Sequence, residues 1–232
     1  MSKLLEKHVR IGRYLKDVVF AANDGIITTF AVVAGSVGAD LSVSVLLIIG
    51  LASMIADGFS MATGNYLGTK SEQDFYRKEE KREWAEVEKF PEEELNEIRA
   101  ILANKGYQGE DLEQMIKLVS KNKQYWVSFM MHEELSLLSP DNQSPVRHGA
   151  ATFFSFIIAG ALPLLPYILF PNGSSFLVAA IASGAALFTV GAARKYFSDR
   201  SWLISGMEML VVGGSAAIIA YGIGFVLKSF LQ

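Results

Sequence analysis

The sequence contains no cysteine, which removes disulfides, thiolate metal sites and cysteine nucleophiles together. It has no phosphate-binding glycine loop with its lysine, so a nucleotide-driven pump is disfavoured. It also lacks any Glu-x-x-His pair, the spacing used by carboxylate-bridged di-iron bundles. No internal repeat or low-complexity segment stands out. No cleavable signal peptide is read, because the leader up to Lys16 is long and charged and the first apolar run contains Asp24. Nucleic-acid binding is disfavoured, since the charged part of the chain is acidic.

What is present is apolar sequence in blocks. The 232 residues are 51% hydrophobic with a mean hydropathy of +0.29, too apolar for an ordinary soluble domain. The formal net charge of −3 conceals a segregation, since residues 70–134 hold 16 of the 24 acids and 11 of the 21 bases. Five apolar stretches, near 18–38, 43–68, 148–169, 175–195 and 202–227, are each long enough to cross a bilayer core of about 30 Å. The connections at 39–42 and 170–174 carry no Lys or Arg, whereas the leader, the 70–147 insert and the 194–200 loop are rich in them. The positive-inside rule then puts the N-terminus and the insert in the cytoplasm and the C-terminus outside. The expected class is all-α: a polytopic membrane protein of five transmembrane helices, with a cytosolic three-helix insert between the second and third. Its divisions are 1–16, 17–69 with the first two spans, 70–140 for the insert, and 141–232 with the last three spans. Residues 1–16 carry five bases and one acid interleaved with apolar residues, which suits an amphipathic helix on the membrane surface or a basic flank that only sets orientation.

The stretch 54–97 organises the rest. The chain has no proline before Pro91, so 43–90 reads as one helix, roughly 70 Å long at about 1.5 Å per residue. A bilayer core takes about 30 Å of that, and the remainder must project into water. Glycines at 50, 58, 64 and 68 would each cost about 1 kcal/mol in a soluble helix but permit close packing in a membrane. Pro91 fits the first turn of a second insert helix, with Gly106 as its left-handed stop. A third helix starts after Gly109 and runs towards Pro140, loosened around residues 121–123, with an apolar stripe of Leu112, Met115, Ile116 and Val119.

Several residues could carry chemistry. Asp24 lies inside the first span beside Asn23, Thr28 and Thr29. An ionisable residue there marks an ion pathway or proton relay, unless it is a hydrated interfacial group. Asp57 and Met61 are one turn apart and share a helix face. A carboxylate with a thioether suits a transition-metal cation better than Na⁺ or Mg²⁺, although Met61 alone would read as packing. Glu208, in the fifth span, is a pairing partner, a proton site or an interface residue. In the insert, Glu79, Glu83 and Glu86 share one face, as do Glu94 and Glu97, and Met130, Met131 and Glu134 fall within one turn. Most acidic runs are solvated faces, but like charges repel unless a cation offsets them, and two adjacent methionines beside acids are unusual for solvation alone. His132 points away from the 130/134 face.

The segments AANDGIITTFAVVAG, SMATGNYLGTKSE, WVSFMMHEEL and SGMEMLVVGGSAA together resemble the vacuolar iron transporter family, in the right order over nearly the whole chain. The resemblance implies a five-span homodimer in a lipid bilayer that moves Fe²⁺ out of the cytosol in exchange for protons. It implies a transporter rather than an enzyme, with no organic cofactor. It also implies a translocation path at the dimer interface, between the first and second spans, and a cytosolic domain that collects metal first. By motif, Asp24 and Met61 match the family's pathway residues. Glu83, Glu86, Glu94, Glu97, Met130, Met131 and Glu134 match its cytosolic metal ligands. The chain departs from the pattern at Ser53, where well-known members carry a pathway glutamate, and Asp57, one turn along, is the carboxylate available in its place. Carboxylates and thioethers do not separate Fe²⁺ from Mn²⁺, and the cytosolic cluster could also take Zn²⁺ or Co²⁺. A manganese-selective exporter, a di-iron ferroxidase and a membrane-anchored metal sensor remain as alternatives. The membrane is the plasma or inner membrane or that of a vacuole-type organelle.

Overall fold

The computed structural model describes residues 3–140, 143–170, 175–197 and 199–231, with only the backbone described at 3–13, 196, 197 and 231. Its regular elements are helical: α1 (Lys3–Gly38), α2 (Val43–Lys89), α3 (Pro91–Asn104), α4 (Gly109–Ser120), α5 (Lys123–Glu133), α6 (Pro145–Gly160), α7 (Leu165–Leu169), α8 (Ser175–Ala193), a 3₁₀ turn (Arg194–Phe197) and α9 (Trp202–Leu231). Among the described residues, four helical stretches are long and apolar enough to cross a membrane: Tyr14–Gly38, Val43–Lys89, Ser175–Ala193 and Trp202–Phe230. The chain divides into two compact units, residues 1–66 with 145–232, and residues 67–144.

In the first unit α1 is the hub, packed along α6, α9 and α8, with α8 also against α9. Glycine closes these crossings, as small residues do where helices meet in lipid. A Cβ on Gly25 would lie 2.6 Å from the Phe156 carbonyl oxygen of α6, and one on Gly224 would run into the Gly35 carbonyl of α1. Phe30, Val33, Leu46, Met54, Phe156 and Leu164 fill the space between the helices. The opposite faces stay apolar and open, with Ile48, Phe59, Ile158 and Ile218 each more than half exposed. Such a surface belongs against lipid or another apolar protein face.

Two sequence expectations change here. Helix α1 starts at Lys3 and runs unbroken into the first span, so the leader is continuous with it rather than a separate surface helix. The side-chain pattern read over 1–16 falls largely outside the described residues, as does most of the 170–174 connection. The stretch 148–169 is not one helix but α6, a turn at residues 161–164, and the short α7. Pro163 and Pro166 explain the break, because each removes a backbone donor and disfavours helical geometry just before it.

In the second unit, the later part of α2 meets three short helices. Pro91 occupies the first turn of α3. Gly106 ends that helix at φ +97°, with the Tyr107 amide donating back to the Leu102 carbonyl at 3.2 Å, a left-handed stop that glycine takes without strain. The expected third helix is divided in two. Asn122 breaks it, and its side chain accepts from the Gln124 and Tyr125 amides at 3.1 and 3.2 Å, capping α5 afresh. The insert therefore contributes three short helices beyond the α2 extension. Val87, Ile98, Leu102, Ile116, Val119, Trp126, Val127, Met130 and Met131 form its core.

Candidate functional site

The acids of the second unit continue its apolar stripes. Glu83 stands one turn before core residue Val87 on α2, and Glu94 one turn before core residue Ile98 on α3, so each is carried onto the buried face by helical period. Glu83 is 1% exposed and Glu94 5%, and one carboxylate oxygen of each is buried with no hydrogen-bond partner. Burial pushes the Glu83 carboxyl up to about 7, reinforced by the charges of Glu134, Glu94 and Glu86. Glu94 is also pushed up to about 7, first by burial and then by Glu97, Glu134 and Glu86. Glu134 is raised by burial and by the same neighbours, Glu97 and Glu86. Five carboxylates thus lie within electrostatic reach of one another, and fully buried Met130 and Met131 stand in the adjoining core. Among the described residues, no three His, Asp or Glu side chains converge tightly enough to hold an ion as they stand, so any ion must draw these groups together or use the thioethers.

Glu79 and Glu86 have a cation already. The exposed Arg82 bonds to Glu79 at 3.2 Å and to Glu86 at 3.1 Å. Glu133 faces elsewhere, bonded to Lys105 and held below the usual carboxylate range by it. His132 is exposed and touches only its neighbour Glu133, at 3.3 Å.

In the first unit, Asp24 is half-buried on α1, its carbonyl accepting from Thr28 Oγ1 at 2.8 Å. It lies within electrostatic reach of Asp57 on α2. Asp57 is exposed, and Met61, one turn on, packs at the edge of the core. Ser53 turns its hydroxyl to the Gly50 carbonyl at 3.3 Å. Glu208 is ion-paired with Arg194 at 3.3 Å, with Arg200 at 3.9 Å. A pairing role therefore accounts for it.

A second constellation escaped the sequence analysis. His148 Nδ1 meets Asp17 Oδ2 at 2.5 Å. The Asn65 amide nitrogen donates to Asp17 Oδ1 at 2.9 Å and to Thr152 Oγ1 at 2.8 Å, and Tyr14 lies over the His148 ring at 4.7 Å. The available signal was spacing. Asp17 is two turns before Asp24 on one face of α1, and Asn65 extends the Asp57–Met61 face of α2 by one turn.

Comparisons with known proteins agree on one lineage. The family described as the VIT family matches residues 15–225. The chain is 39% identical over 225 residues to a Toxoplasma gondii protein named vacuolar iron transporter, covering 93% of this chain and 74% of that one. It is 35% identical over 217 residues to vacuolar iron transporter 1 of Arabidopsis thaliana, covering 93% and 87%. A Plasmodium falciparum protein of the same name is 32% identical over 225 residues, covering 93% and 82%. The match takes in the helices of both units, and the chain belongs to the VIT family.

Proposed function

We propose that this protein is a transporter that carries Fe²⁺, or Mn²⁺, out of the cytosol across a membrane in exchange for protons. The relatives named as iron transporters, over nearly the full chain, support metal-ion transport. The observation that carries the reading to residues is the cluster of Glu83 and Glu94, buried with unpartnered carboxylate oxygens beside two fully buried methionines. Unpaired buried carboxylates are costly unless they coordinate a cation or take up a proton. Carboxylate with thioether favours a first-row transition metal over Mg²⁺ or Na⁺, and Zn²⁺ and Co²⁺ could occupy the same donors.

In this reading the 67–144 unit is cytosolic and loads metal through Glu83, Glu86, Glu94, Glu97, Met130, Met131 and Glu134. The N-terminus is cytosolic too. The crossings are α1, α2, α8 and α9, with α6 and α7 together making the fifth. Asp24, Asp57 and Met61 line the route, and a homodimer brings two copies of it together, as the open apolar faces of the first unit would allow. The membrane is the plasma or inner membrane or that of a vacuole-type organelle.

The test is uptake into proteoliposomes that carry an internal pH probe, comparing Fe²⁺, Mn²⁺, Co²⁺ and Zn²⁺ under anaerobic conditions. The expected result is saturable Fe²⁺ or Mn²⁺ entry accompanied by movement of protons out of the vesicle. Binding without entry would leave a sensor. Rapid oxidation of bound Fe²⁺ on admitting oxygen would point instead to a ferroxidase.

A further inference from the structure

The bonds around Asp17 tie three helices of the first unit at one level: Asp17 from α1, Asn65 from α2, and His148 with Thr152, one turn apart, from α6. The backbones are brought in close there, since a Cβ on Gly149 would lie 2.9 Å from the Ala62 carbonyl oxygen of α2. The imidazole is held in one orientation, and the carboxylate can only accept, so Nδ1 carries the proton between them. The other ring nitrogen, Nε2, is buried and has no partner, in a residue only 7% exposed.

A structural pin needs both sides of its ring satisfied or solvated. This one leaves its second nitrogen bare, and that is the atom at which an imidazole with a protonated Nδ1 takes up or releases a proton. The knot is also in line with the candidate route. Seven residues separate Asp17 from Asp24 and four separate Met61 from Asn65, so it sits on the same two helix faces, about 10 Å along α1 and about 6 Å along α2. The groups that face the ring are Asp17 and Tyr14 from α1 and Asn65 from α2, with Tyr66 of α2 against Gly149 next to it. Lys16 and Arg147, the neighbouring cations in sequence, are exposed.

We propose that the Asp17–His148 pair is the proton-carrying site of the exchange, with Asn65 and Thr152 as positioning residues. This rests on the exchange reading given above. In the step itself, Nε2 takes a proton from the side opposite the cytosol to give the imidazolium, which Asp17 balances. Passage of the cation returns the ring to neutral, and the proton leaves Nε2 for cytosolic water. One proton is bound and one released, with no other bond changed. The site supplies a proton carrier in a chain that has Ser53 on its second span.

The test separates two modes of transport in proteoliposomes made with the full-length protein. Exchange of labelled external Fe²⁺ for unlabelled internal Fe²⁺ needs no net proton movement, whereas net Fe²⁺ uptake driven by an acid interior does. His148→Gln and Asp17→Asn should exchange iron at near the wild-type rate and lose tenfold or more of acid-driven net uptake. The readout independent of transport is the imidazole carbon spectrum of the histidine-labelled protein, which has three histidines. The signal missing from His148→Gln should change on acidification in the wild type and stop doing so in Asp17→Asn. Retention of acid-driven uptake by both variants, loss of both transport modes in folded variants, or a His148 signal that never titrates would each overturn the assignment. Wild-type vesicles that move iron with no response to the pH gradient would instead refute the exchange reading itself.

Discussion

Replacing Glu83 by Gln should stabilise the metal-free second unit at high pH while weakening its hold on metal. The carboxyl moves from 4.5 to about 7 on folding, because burial and the charges of Glu134, Glu94 and Glu86 disfavour its ionised form. At about 1.4 kcal/mol per pH unit that is roughly 3 kcal/mol. Glu134 beside it is only partly covered and water screens part of the repulsion, so about 1–2 kcal/mol is the expected effect. The sign follows from proton counting. Between pH 4.5 and 7 the folded unit holds a proton that the unfolded chain has lost, so stability falls as pH rises through that window and levels off above it. Gln resembles the protonated acid and carries no such penalty.

Hydrogen exchange of α3, α4 and α5 in the full-length protein reads this directly, since local opening is measured without unfolding the spans. With chelator present at pH 8, and after correction for intrinsic rates, Glu83→Gln should slow exchange about 5- to 30-fold. At pH 5 the difference should shrink to about 3- to 4-fold, because the folded carboxyl is protonated there and only the opened chain is ionised. Added Fe²⁺ should then protect the wild type more than the variant. Identical pH profiles for the two proteins would show that Glu83 is not a buried titrating carboxyl, and the cluster argument would fail with it.

Asp24→Asn removes charge at constant volume, so it should reduce Fe²⁺ uptake to background while leaving the protein inserted and folded by size-exclusion chromatography; substantial remaining flux would make Asp24 structural. Single cysteines placed along residues 24–35 of this cysteine-free chain should cross-link into dimers with a helical period. Uniform failure along that face would remove the homodimer arrangement.

The long second helix was legible because the chain offers it no proline before Pro91, and the α3 stop because Gly106 takes the left-handed conformation without strain. Periodicity placed Glu79, Glu83 and Glu86 on one face but could not say how deep that face lies, which depends on Ile98, Val127 and Met131 arriving from other helices. It treated Glu97 and Glu94 alike, yet Glu94 is buried and Glu97 exposed. The division at Asn122 was visible only as a loosening, because its cap depends on a side-chain geometry that Lys121 and Lys123 do not advertise. The Asp17–His148 contact was hidden for a simpler reason. Its partners are 131 residues apart in sequence, and nothing local in either helix announces the other.

The same raised carboxyls set how metal binding must respond to pH. Without metal, two devices offset part of the acids' repulsion: Arg82 shared between Glu79 and Glu86, and protonation of Glu83 and Glu94 near neutrality. The arginine is a weak competitor, because an exposed ion pair contributes about 0–1 kcal/mol and a divalent ion displaces it readily. The protons are stronger competitors, since a carboxylate must be ionised to ligate and each proton displaced enters the binding equilibrium. Below about pH 7, affinity should therefore fall about tenfold per pH unit for each of Glu83 and Glu94 that ligates, up to about 100-fold per unit if both do. Titrating Co²⁺ into the full-length protein between pH 5.5 and 8 measures this, with released protons counted in two buffers of different ionisation heat. An affinity that follows ordinary carboxylates, flat down to about pH 5, would show that the metal binds elsewhere than on the two buried glutamates.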